Sequence, residues 1–138
     1  MRLVNNTDLD DDSIRNFIRA VRPSGISNFD VHIGYGVGRG VAYTNGHHAH
    51  DRKCPFIKVF ISKNFKPYQT TSRGAYISRW LYSQTEQLID LLSHELRHLW
   101  QAKHSKGKVW GSKGQFSERD ADAYSLNMLR KFRRGELV

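Results

Sequence analysis

Five consecutive residues carry the most chemistry in this chain: His94-Glu95-Leu96-Arg97-His98, an H-E-x-x-H pattern. On an α-helix, positions four apart lie on one face, a turn apart. The imidazoles of His94 and His98 can therefore converge on one point. Zinc takes neutral imidazole nitrogen, and a catalytic zinc has three protein ligands and a water. Glu95 then sits beside that water, placed to take its proton. Two histidines on a helix can also be ordinary packing residues, so the elements around them decide.

Those flanks predict a long, mostly buried helix. Leu88, Ile89, Leu91, Leu92, Leu96, Leu99 and Trp100 give a broad apolar stripe, and neither Pro nor Gly interrupts Gln84 to His104. Ser83, three residues before Glu86, reads as a capping box that starts it. A second helix is expected from Ser117, with Ser117 as N-cap, Asp120 at its third position and Phe116 stapled onto Ala121. Glu118 and Asp122 are four apart and share a face. A carboxylate from this helix completes a His, His, Glu zinc set. Asp122, one turn on, suits the role of accepting the free N–H of a ligating histidine. The competing reading is an acidic first turn favoured by the helix dipole, which accounts for Glu118 and Asp120 but not for Asp122. Asp120 lies about 160° from Asp122 around the helix and should face elsewhere.

The combination of H-E-x-x-H and a downstream E-x-x-x-D resembles the gluzincin metallopeptidases, the group that includes thermolysin. It is also similar to the small zincin-like ImmA-type and SprT-like peptidases of bacteria and phages. The likeness spans Gln84 to about Phe132. It implies zinc ligation by His94, His98 and Glu118, Glu95 as general base and Asp122 as partner to a ligating histidine. No Gly follows His98 and no third His stands at metzincin spacing, so that branch does not fit.

The remaining composition bounds the class. At 138 residues the chain fits one zincin-like domain with its own core. Hydrophobic residues at 38% and aromatics at 12% argue against disorder. A single cysteine, Cys54, excludes a disulfide framework and reads as a small buried hydrophobe. Residues 1–13 have no apolar core of a signal peptide, and no stretch has the length of a membrane span. We therefore expect a cytoplasmic protein without a membrane partner. The net charge of +9 favours an anionic partner or substrate. A nucleic-acid-associated zinc protein is thus one alternative function, and a non-catalytic interaction module is another.

Taken in order, the chain predicts a helix opening at Thr7 or Asp8, with Asp10, Asp11 and Asp12 in its first turn and Pro23 at its end. Phe29 to Tyr35 alternates as a strand. Gly34 to Gly40 lacks the P-loop Lys-Ser/Thr ending and reads as a bend, bulge or hairpin before a strand at Val41-Ala42-Tyr43. Asn45-Gly46 is a turn signal. His47, His48 and His50 after it are either a rival metal set or an exposed loop. Phe56 to Ile61 reads as an edge strand protected by Lys58, and in zincins such an edge pairs with extended substrate. Ser62 to Ser72 reads as loop, and Gly74 to Tyr82 as either strand or cover. His104, Trp110 and Tyr124 are candidates for oxyanion or substrate contact, with the ordinary structural role open for each. Gly135 stops the last helix. The expected fold is α+β: an N-terminal helix, a small twisted and mostly antiparallel sheet, then the two zinc helices. The expected activity is that of a zinc metalloendopeptidase acting on protein or peptide.

Overall fold

The computed structural model describes residues 1–36, 41–44, 55–70, 75–104 and 115–137. The Asn45-Gly46 turn, His47, His48, His50, Cys54 and Trp110 lie outside them. The chain is α+β. Strand β1 (Leu3–Asn5) precedes helix α1 (Asp11–Val21), followed by β2 (Asp30–Gly36), β3 (Val41–Thr44) and β4 (Phe56–Ser62). Short strands β5 (Tyr68–Gln69) and β6 (Trp80–Leu81) lead into α2 (Gln84–His104), and α3 (Gln115–Arg133) closes the series.

The main sheet has the order β1-β2-β4-β3. β1 and β4 both run parallel to β2, and only β3 is antiparallel to its neighbour β4. The sheet is therefore not mostly antiparallel. Helix α1 carries the chain back between β1 and β2, and a return of that kind sets two strands in the same direction. β4 then inserts between β2 and β3. β2 and β3, consecutive in the chain, consequently do not pair with each other. At Gly36 a Cβ would stand 2.9 Å from that of Phe60, so β2 and β4 can approach there only over glycine.

β4 is central, contrary to the edge expected of it. Ile57, Val59 and Ile61 are fully buried, while Phe56, Lys58 and Phe60 alternate onto a half-buried face. Lys58 lies over the Phe56 ring, 5.4 Å from its centroid, on that outer face rather than guarding an edge. The edge beside α2 is β3, since α2 packs across β4 and β3. Part of the stretch expected to be loop is the short ribbon Tyr68–Gln69, paired with Trp80–Leu81.

Helix boundaries follow cap chemistry. Asp10 is the N-cap of α1, not a first-turn acid: its backbone is extended and its Oδ2 accepts the Ser13 N–H at 2.9 Å. Arg22, forced extended by Pro23, ends the helix. Ile14, Ile18 and Val21 are buried, and Phe17 meets Phe132 of α3 edge-on at 5.9 Å. α3 begins two residues before Ser117, which lies within the first turn rather than capping it. Gly135, with φ +71°, stops α3, and the bonds Gly135 N–H to Phe132 O and Glu136 N–H to Lys131 O satisfy its last carbonyls.

α2 is the axis of the molecule. Leu88, Ile89, Leu92 and Leu96 are fully buried, and each contributes about 1.5–3 kcal/mol by leaving water. That burial, more than intrinsic propensity, holds 21 residues helical. Gln87 is also fully buried and ties α2 to the end of β4, accepting from Ser62 N–H at 2.8 Å and donating to Ser62 Oγ at 2.9 Å. Helix α2 is thereby registered on the sheet. No helix of the described residues is long and apolar enough to cross a membrane.

Candidate metal centre

α2 and α3 run antiparallel and are clamped at both ends. Near the start of α2, Ser83 Oγ accepts the Glu86 N–H at 3.1 Å, half of the expected capping box. The Glu86 carboxylate instead takes the Tyr82 N–H and both nitrogens of an Arg133 fork, at 2.8 and 3.1 Å. At the far end Arg97 pairs with Asp120 through two bonds of 2.7 and 3.2 Å. Between them Ser125 Oγ donates to Asp90 O at 3.0 Å. These contacts set the rotation of α3 against α2, and so where Glu118 and Asp122 fall.

They fall on His94 and His98. Glu118 faces both imidazoles, with one carboxylate oxygen 3.0 Å from His94 Nε2 and the other 3.1 Å from His98 Nε2. The two Nε2 atoms are themselves 3.1 Å apart. The other ring nitrogens are engaged. His94 Nδ1 is 3.0 Å from Asp122 Oδ1, and His98 Nδ1 is 2.9 Å from Gln101 Oε1. When each Nδ1 carries its proton toward its oxygen partner, both Nε2 lone pairs point at one another and at a carboxylate. A positive charge between them, a proton or a metal ion, relieves that arrangement. A tetrahedral zinc with bonds of about 2.0–2.1 Å needs ligand atoms about 3.3 Å apart, so the donor types and their spacing fit zinc.

Charge in the site is strongly coupled. Burial works to lower His94, but hydrogen bonds to Asp122 and Glu118 and the charge of Glu95 win and raise it to about 10. A proton and a metal cation thus compete for the same electron-rich position, and metal binding there releases protons. His98 is raised against burial mainly by Glu118. Glu118 is held far below the usual carboxylate range by hydrogen bonds from both histidines. Glu95, 6% exposed, is pushed up by burial against the pull of the two histidines, the direction a general base needs.

A cleft of about 250 Å³ opens onto these groups, lined by His94, Glu95 and Glu118 together with Thr70, Ala75 and Tyr76. Asp122 also lines it, 3% exposed, and accepts four donors. Besides His94, these are the N–H groups of Tyr76 and Ile77 at 2.8 and 3.1 Å and Arg79 Nη2 at 3.2 Å. Arg79 in turn chelates Asp90 at 2.5 and 3.1 Å.

Neither described oxyanion candidate reaches the cleft. His104 stacks on Trp100 at 4.2 Å and bonds its carbonyl, a turn and more beyond His98. The Tyr124 hydroxyl donates to Val21 O, and burial pushes it up to about 12. Tyr76, on the cleft wall and 46% exposed, carried no signal in the sequence. Asp120 faces away from the ligand atoms as expected, yet it connects to the site, because Gln101 Nε2 donates to it at 2.9 Å. Gln101, three residues after His98, was legible from helical spacing; Arg79 was not, since its partners are 11 and 43 positions away. No known family model, curated protein or solved structure matches the chain.

Proposed function

We propose that this chain is a zinc-dependent metallopeptidase of gluzincin type, with a zincin-like fold, that hydrolyses peptide bonds. The observation that carries the reading is the convergence of His94, His98 and Glu118 on one point with the buried carboxyl of Glu95 in the same cleft. Zinc bound there supplies Lewis acidity, polarising a carbonyl and bringing the pKa of water to about 7. Glu95 takes a proton from the attacking water as its oxygen adds to the scissile carbonyl carbon. The same carboxyl returns that proton to the amine nitrogen as the C–N bond breaks. General acid–base catalysis of this kind contributes roughly 10²–10⁴-fold. Asp122 and Gln101 hold the two imidazoles with Nε2 directed at the ligand point. Among the described residues β3 pairs on one side only, and its free edge beside α2 suits an extended peptide added by main-chain hydrogen bonds.

The test is Glu95→Gln, with zinc content and hydrolysis of an unstructured protein substrate measured together. The expected result is one zinc per chain, an unchanged melting profile and hydrolysis reduced by at least 10²-fold. Native hydrolysis by a zinc-loaded Glu95→Gln protein overturns the mechanism.

A further inference from the structure

We propose that the buried Arg79–Asp90 pair is a positioning device for the metal site: it holds Asp122, and through Asp122 the His94 imidazole, in the geometry that binds zinc. The inference rests on the three-ligand reading of the site. Asp90 and His94 are one turn apart on α2, and Asp122 comes from α3. Arg79 bridges the two carboxylates, chelating Asp90 and reaching Asp122 Oδ1 with Nη2. Asp122 Oδ1 also meets His94 Nδ1. One helical turn and three polar contacts therefore close a ring, Asp90 to Arg79 to Asp122 to His94 and back along α2. Rotation of the His94 ring, or a slide of α3 along α2, breaks a bond of that ring.

Arg79 is itself fixed in the cleft wall. Its Nη1 donates to Ile77 O at 2.7 Å, its backbone N–H goes to Thr70 Oγ1 at 3.1 Å, and its carbonyl accepts the Thr70 N–H at 2.9 Å. Side-chain exposures of 4% for Arg79 and 2% for Asp90 remove water as a substitute partner. A buried ion pair is weak evidence for stability, because apolar residues of similar volume often do as well or better. Its geometric work is another matter: apolar replacements cannot hold a carboxylate in place. The trio Arg79, Asp90 and Asp122 also carries one net negative charge, which favours a cation on the far side of the His94 ring.

The experiment compares native protein with Arg79→Met/Asp90→Leu, which removes both charges together, and with Arg79→Lys. Three readouts are taken: zinc dissociation constant by chelator competition, the visible spectrum of the cobalt(II)-loaded protein, and thermal unfolding. The double variant is expected to fold with a melting temperature at or above native, to bind zinc about 10-fold more weakly and to show displaced cobalt bands. Arg79→Lys keeps the charge without the fork and is expected to fall between the two. A folded double variant with native zinc affinity and a native cobalt spectrum overturns the inference alone. Should the double variant fail to fold, Arg79→Lys decides by the same readouts, and native values there overturn it. Absence of zinc binding by the native protein overturns the three-ligand reading, and this inference with it.

Discussion

The two histidines of the site are wired differently, although each offers Nε2 to the same point. His94 is secured across helices by a charged carboxylate, Asp122, which is anchored by Arg79 and two backbone amides. His98 is secured along its own helix by a neutral amide, Gln101, which is anchored by Asp120 and, through it, Arg97. The outer link on the His94 side is almost dry, with Arg79 and Asp90 side chains 4% and 2% exposed. On the His98 side Arg97 and Asp120 are 21% and 27% exposed. A charge in a dry site interacts several times more strongly than a dipole or a solvated pair. The His94 branch should therefore set both the geometry and the affinity of the site, while the His98 branch mainly restrains a ring.

Removing the ligand common to both branches has the largest expected effect. Glu118→Ala is expected to lower zinc affinity by more than the 10–100-fold typical of outer partners, as read by elemental analysis and chelator competition. Retained native affinity would mean that the two branches do not meet on a metal. Next comes Asp122→Asn, which keeps the shape but removes the charge at the head of the dry branch. We expect a 10–100-fold loss of zinc affinity. Gln101→Ala tests the other branch, and its expected loss is tenfold or less. Equal losses in these two variants would erase the contrast between carboxylate and amide.

The smallest effect is expected at Glu86, remote from both branches at the other end of the helix pair. Burial works to raise its pKa, but the Arg133 fork and the Tyr82 N–H lower it. A carboxyl depressed on folding stabilises the protein above its unfolded pKa, about 4.3, and that contribution is lost as pH falls through the folded value. Glu86→Gln should thus cost about 1 kcal/mol near neutral pH, discounted for the solvent around Arg133, and flatten the acid side of the stability curve. Zinc affinity should stay native. A drop in zinc affinity comparable to that of Gln101→Ala would show that the far clamp, and not the local wiring, orients the histidines.

Short-range patterns in this chain were readable because helices repeat locally. The His94–His98 spacing, the Ser83 cap, the Glu118–Asp122 spacing and the Gly135 stop each depend on residues within a turn or so. The placing of Glu118 and Asp122 on one face of α3 was likewise a matter of helical phase. Strand order was a different problem. Phe56 to Ile61 carries an alternation compatible with either an edge or a central position, and only the insertion of β4 between β2 and β3 decides which. Lys58 misled because a half-buried outer face tolerates a charge as readily as an edge does.

What the sequence determined by itself is the chemistry available: two imidazoles and two carboxylates at helical spacing, on helices whose apolar faces require them to pack. What only the tertiary structure decided is which anchors stand behind those groups. Arg79 meets Asp90 and Asp122 because the β5–β6 ribbon delivers it between α2 and α3. Tyr124 turns to α1, and His104 stays on its own helix, so neither lines the cleft. The physical reason is range. Helical periodicity is written every three to four residues, whereas a buried charge finds its counter-charge through the packing of distant elements.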